Sequence, residues 1–205
     1  MTAVKDNHSS NSQDPRASSS LLLSPAPKAH IALIYENKKQ RDLIIANYIN
    51  EGLRLGQICV YATVFYRDEG HLERFSKLIT NCKENLNNGN LLIVDLASFY
   101  ISALLGDMQP FEEAKKMFVE KAKGRKNKHV RFYGDCTGFL FKNNHFDECT
   151  IVEEWWQQQK LFDGTCLCSF PKQFFSNALP HELYAKRTIV DTHDIVVDDD
   201  NNCSM

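Results

Sequence analysis

His30-Ile31-Ala32-Leu33-Ile34-Tyr35, running straight into Glu36-Asn37-Lys38-Lys39-Gln40-Arg41, is the stretch on which the fold turns. With Ala29 ahead of it, the first half is a near-continuous apolar run, the pattern of a strand buried on both faces. Asn37 and Gln40 then stand three apart in the form of a capping box. A helix therefore starts there, with Ile45, Tyr48, Ile49 and Leu53 on one face, and Gly56 stops it just after Leu55. A strand passing at once into a helix opens an α/β unit. Phosphate-binding enzymes of this class place GxxxxGK and a Ser or Thr in this turn, so that backbone amides wrap the phosphates and the Lys offsets their charge. Here the turn has no glycine and no Lys-Ser or Lys-Thr pair, and Glu36 would repel a polyphosphate. Lys38, Lys39 and Arg41 could draw an anion, but a solvated helix turn is the commoner role of such a charge run.

The same alternation continues along the chain. Ile58–Val64, Leu91–Leu96, Val130–Gly134 and Thr165–Phe170 read as strands, and a sixth strand or hairpin is expected within Ile189–Val197. Helices are expected over Glu69–Asn85, from Pro110 through Ala122, over Asp147–Leu161 and over Leu179–Lys186. Ala97–Gln109 is looser, with a short helix ending near Leu104-Leu105-Gly106. The expected fold is three-layer α/β, a mostly parallel sheet of about six strands with helices on both faces. Residues 1–28, rich in Ser, Asn and Pro, are expected to be disordered, as is an acidic tail at 198–205. One domain, 29–197, lies between them.

Composition narrows the function. Of 205 residues, 43% are hydrophobic, enough for a core, and the net charge of −2 argues against general nucleic-acid binding. No apolar run approaches the roughly 18 residues that cross a bilayer. Leu21-Leu22-Leu23 is too short for a secretory core. Seven cysteines, several inside apolar runs, read as reduced thiols in a cytoplasmic protein.

A series of landmarks then lines up: His30-Ile31-Ala32-Leu33-Ile34-Tyr35, Glu51-Gly52-Leu53, Cys59-Val60-Tyr61, Asn88-Gly89-Asn90-Leu91, Arg131-Phe132-Tyr133-Gly134-Asp135, Glu153, Leu167-Cys168-Ser169-Phe170 and His193-Asp194-Ile195-Val196. Their order and spacing over residues 29–197 resemble the MEDS domain, the methanogen/methylotroph sensory family, which looks like a relative of clock-type RecA-like ATPases lacking the P-loop. The resemblance implies a three-layer RecA-like fold, a non-enzymatic sensory role and recognition of small hydrocarbon or one-carbon-derived compounds. The family's Gly-Glu after the fourth strand stands here as Gly134-Asp135. Family members are often fused to output domains, and no output domain is recognisable here, so a separate signalling or regulatory protein is the implied partner.

In open α/β sheets ligands bind beyond the carboxyl ends of the strands. Tyr35, Thr63, Asp95, Asp135 and Ser169 fall at those ends and are the candidate ligand-binding residues, with Glu153 on the following helix beside Trp155 and Trp156. Asp135 takes the place of a magnesium-associated acid, although helix capping is an ordinary role for it. Glu153 among aromatics could be partly buried with a raised pKa; solvent exposure or a bond to Arg131 is the plainer expectation. Cys166 and Cys168 face one side of a strand. With Cys136, Cys149 or His145 they could bind a metal or sense oxidation, but buried structural thiols are commoner. His181 and His193 read as structural. No catalytic set, metal or cofactor is assigned. The leading expectation is a sensory module for a small apolar ligand. The alternatives are a degenerate RecA-like nucleotide-binding protein or ATPase, and an interaction module, as in a homodimer through the Trp-bearing helix.

Overall fold

The structure, a computed structural model, describes residues 22–158, 164–176, 180–198 and 203–204. Among them, one sheet is formed by β1 (His30–Tyr35), β2 (Ile58–Thr63), β3 (Leu91–Asp95), β4 (Val130–Gly134), β5 (Gly164–Pro171), β6 (Ile195–Asp198) and β7 (Cys203–Ser204). The order is β3-β2-β4-β5-β1-β6-β7. Six strands run parallel, and only β7 pairs antiparallel, on β6. The helices are α1 (Lys38–Arg54), α2 (Glu69–Ser76), α3 (Cys82–Asn87), α4 (Ala97–Leu104), α5 (Gln109–Lys123), α6 (Cys136–Lys142), α7 (Phe146–Gln158), α8 (Gln173–Ser176) and α9 (Pro180–Thr192).

β1, β2 and β5 are buried at every residue, the reason for their largely apolar sequences. Alternation along the strands divides the core in two. Ala32 and Ile34, Val60 and Ala62, and Cys166 and Cys168 face one way, against α4, α5, α6, α7 and α9. Ile31 and Leu33, Cys59 and Tyr61, and Tyr133 and Leu167 face the other way, against α1 and α2. This is the expected three-layer α/β arrangement, a mostly parallel sheet with helices on both faces. No helix among the described residues is long and apolar enough to cross a membrane.

Several elements differ from expectation. Glu69–Asn85 is two helices, broken where Asn81 takes φ +50°. The interruption is stitched to α1: Asn50 donates to the Leu78 carbonyl at 2.9 Å and accepts from the Thr80 amide at 2.9 Å. Residues 97–104 are regular helix, ended by Gly106 at φ +70°. α6 is an additional helix. Ile189 and Val190 belong to α9, so the sixth strand is only Ile195–Asp198.

Residues 22–28, expected to lack order, are described, and Leu22 is only 6% exposed. Arg131 anchors this segment by donating to the Leu23 carbonyl at 3.2 and 3.3 Å. At the other end Asp198 is part of β6 and pairs with Lys172 at 3.1 Å, and Cys203 sits opposite Val197. These positions leave the acidic tail; residues 1–21, 199–202 and 205 lie outside the described residues, as does the side chain of His181.

Candidate functional site

Among the described residues, two of the spaces that flank the carboxyl half of the sheet take in sequence-predicted site residues. The first, about 580 Å³, lies beyond the strand ends, bordered by Tyr35, Arg41, Arg74, Lys142, Asp135 and Ser169. Arg41 donates to the Tyr35 hydroxyl at 3.3 Å, stacks over its ring at 4.9 Å and pairs with Asp42 at 2.6 Å. Asp135 is buried; Oδ2 accepts from the Thr63 hydroxyl at 2.6 Å and Oδ1 from the Val64 amide at 2.8 Å. Burial pushes its carboxyl up to about 6, although both of those bonds pull the other way. Only two residues, Glu36 and Asn37, join β1 to α1. The α1 amides of Lys39 and Gln40, which could otherwise hold an anion, donate to Asn37 Oδ1 at 2.9 and 3.2 Å.

The second space lies on the sheet face under α4, α5 and α7. It is an apolar cavity of about 50 Å³, walled by Ala62, Phe99, Phe111, Ala114, Phe132 and Trp156. That is about three to five times the volume one water needs. Thr137 and Glu153 are its polar members, together with Lys115 at its edge. Glu153 is 0% exposed, and neither of its carboxyl oxygens has a hydrogen-bond partner among the described residues. Burial raises its pKa to about 7, partly offset by the nearby Thr137 hydroxyl and Cys168 thiol, neither of which completes a bond of good geometry.

Beside Glu153 stand His30, Cys168 and His193, all buried, with potential donor atoms of the four residues within 4.8 Å of one another. Glu153 Oε2 lies 3.4 Å from Nε2 of each histidine. The two rings stack at 3.8 Å, and Cys168 Sγ is 3.5 Å from His30 Nε2. Burial pulls His193 down to about 4, against the bond to the Ile189 carbonyl, which favours the charged form.

The family model described as MEDS, the methanogen/methylotroph, DcmR sensory domain, matches residues 29–187. The chain belongs to this family. Among solved structures the MEDS chain is similar to the flagellar accessory protein FlaH from Methanocaldococcus jannaschii, at 12% identity over 84% of this chain and 71% of that one, with a TM-score of 0.45. It is also similar to a solved ATPase domain, at 7% identity over 83% of this chain and 69% of that one, with a TM-score of 0.46. No curated protein matches it.

In this MEDS domain the sequence-predicted site residues divide. Tyr35, Asp135 and Ser169 border the strand-end cavity, and Thr63 lies beneath it, bonded to Asp135. Asp95 borders neither space; it accepts from the Ala97 amide at the start of α4 and lies 3.5 Å from Arg67. Glu153 is neither exposed nor bonded to Arg131. That guanidinium instead donates to Gln57 Oε1 and the Tyr48 carbonyl, both at 2.9 Å. Trp155 and Trp156 turn inward, against Phe111 at 5.6 Å and Phe132 at 4.9 Å.

Cys168 groups with His30 and His193 rather than with Cys136, Cys149 or His145. His30 was not among the sequence-predicted site residues, and His193 was expected to be structural. One signal existed: His30 opens β1, and His193 stands two residues before β6, the strand that pairs with β1.

Proposed function

We propose that this chain is a non-enzymatic sensory module. It binds a small apolar molecule in the cavity under α4, α5 and α7 and relays occupancy to a separate protein. The observation that carries the reading is the pairing of an apolar cavity with a single buried carboxyl, Glu153, on its wall. Apolar walls supply the affinity, and one polar group orients a guest that carries a hydroxyl, carbonyl or other weak dipole. Membership of a family described as a sensory domain supports the same role.

Size sets the strength. A guest of three or four heavy atoms gains at most about 1.5 kcal/mol per atom, so dissociation constants of about 40–500 μM or weaker are expected. Native mass spectrometry and thermal shift across a panel of one- to four-carbon compounds test the reading. A saturable shift that disappears in Ala114→Phe, which fills the cavity from α5, supports it. No bound compound and no shift with any of the panel overturns it.

A second reading, weak nucleotide binding, is favoured by the basic side chains around the strand-end cavity. Against it, Asn37 already caps the amides of α1, and Asp135 is committed to Thr63 and Val64. Calorimetry with ATP and magnesium separates the two: micromolar binding lost in Asp135→Ala would favour the nucleotide.

A further inference from the structure

His30 lies on β1, Cys168 on β5, Glu153 on α7 and His193 just after α9, so four elements meet at one buried point. The tautomers follow from the backbone. A carbonyl can only accept, so the Thr192 carbonyl, 3.0 Å from His30 Nδ1, fixes the proton on that nitrogen. The Ile189 carbonyl, 2.5 Å from His193 Nδ1, does the same for the second ring. Both neutral rings therefore turn an Nε2 lone pair inward, in the manner of histidines whose outer nitrogen is held for metal ligation.

Both Nε2 atoms approach the same acceptor, Glu153 Oε2, at 3.4 Å. His193 Nε2 and both Glu153 oxygens have no hydrogen-bond partner among the described residues. Acceptors thus converge where water is excluded, an arrangement that calls for a cation between them. A single carboxyl proton answers it poorly. The Cys168 thiol can donate to His30 Nε2 at 3.5 Å, but a carboxyl proton would reach His193 Nε2 only at 3.4 Å, long for such a bond.

The spacings suit a metal better. Bonds of about 2.0–2.3 Å to a tetrahedral ion put its ligand atoms about 3.3–3.8 Å apart. The observed separations of 3.4, 3.4 and 3.5 Å fall in that range. The remaining pairs, within 4.8 Å, need to close by up to about 1 Å, and the two imidazoles, stacked at 26°, must splay to bring both lone pairs onto one ion.

We propose that His30, Glu153, Cys168 and His193 bind one divalent transition-metal ion, and that zinc fits this two-nitrogen, one-oxygen, one-sulfur set best. Imidazole and thiolate together disfavour magnesium and calcium, which take oxygen ligands. Four protein ligands leave no open position, so the site is structural, tying the β1–β5–β6 side of the sheet to α7. The proposal does not depend on the sensory reading, since the ion would bind with the apolar cavity empty.

The test uses the full chain purified without chelator. Elemental analysis after dialysis is expected to give one zinc per chain. Zinc added back to stripped protein should raise the thermal midpoint by roughly 5–10 °C at a hundredfold excess over Kd. Cobalt should give a tetrahedral visible spectrum with a thiolate charge-transfer band that Cys168→Ser removes, and His193→Gln should weaken zinc binding by more than about 100-fold. Should either variant fail to fold, zinc-edge X-ray absorption on the wild type decides, with one sulfur near 2.3 Å and imidazole nitrogens near 2.0–2.1 Å expected. No retained or rebound metal, binding indifferent to both variants, or a zinc shell without sulfur overturns the proposal.

Discussion

Two buried charged side chains show how differently a fold can handle the same problem. Arg131 is 1% exposed, and its guanidinium is satisfied by Gln57 and by the carbonyls of Tyr48 and Leu23, while lying 4.7 Å over the Tyr48 ring. Arg131→Met keeps the volume and strands those acceptors, so a loss of about 2–4 kcal/mol in urea unfolding is expected, with new protease cleavage near Leu22. Asp135 is handled less well, its carboxyl held at about 6 by burial. An unfolded Asp titrates near 3.9, so the fold holds this proton more tightly than the unfolded chain does. The stability that this group contributes is complete below about pH 4 and is lost as pH rises through about 6, amounting to roughly 2–3 kcal/mol. Asp135→Asn lacks that component. The variant's stability relative to wild type should therefore rise by about that amount between pH 4 and 7.5; an unchanged difference across the range would refute the assignment.

At the scale of elements, what was legible in the sequence was what is decided locally. β1 and the capped start of α1 are set by six successive buried residues and by Asn37, all within a dozen positions. The break between α2 and α3 was not legible, because it is held by Asn50, 28 and 30 residues away from its partners Leu78 and Thr80. The site divides in the same way. Strand-end placement located Tyr35, Asp135 and Ser169, since it follows from topology. The grouping of His30 with Glu153 and His193 depends on how α7 and α9 settle on the sheet. α6 escaped notice because what fixes it is contact. A Cβ added at Gly138 would come within 2.0 Å of the Ser169 carbonyl oxygen, so glycine lets α6 lie directly on β5. Gly138→Ala must push the two backbones apart and is expected to cost about 3 kcal/mol, measurable as a lowered urea midpoint. Because Cys136 and Thr137 line the apolar cavity from the same helix, ligand-induced thermal shifts should weaken with it.

For the whole molecule, cavity size limits how a sensor could work. A ligand moves an equilibrium only by its difference in affinity for the two states, and turning 1:99 into 99:1 takes about 5.5 kcal/mol. A guest of three or four heavy atoms has at most about 6 kcal/mol in total. Nearly all of its binding energy would be consumed by the switch, so the free protein must already lie within a few kcal/mol of the second state. That low-lying opening belongs on the cavity side, where α4 and α5 form the lid. There Leu105 is 78% exposed and Ile101 57%, whereas α1 on the opposite face buries Ile45, Tyr48 and Ile49. Native-state hydrogen exchange is the measurement that tests this. Amides of residues 97–123 should open with free energies several kcal/mol below those of α1, and should slow when the compound with the largest thermal shift is added, while α1 stays unchanged. Exchange of 97–123 only through global unfolding, equal to that of α1, would leave a guest of this size too little energy to switch the molecule and would rule out the relay.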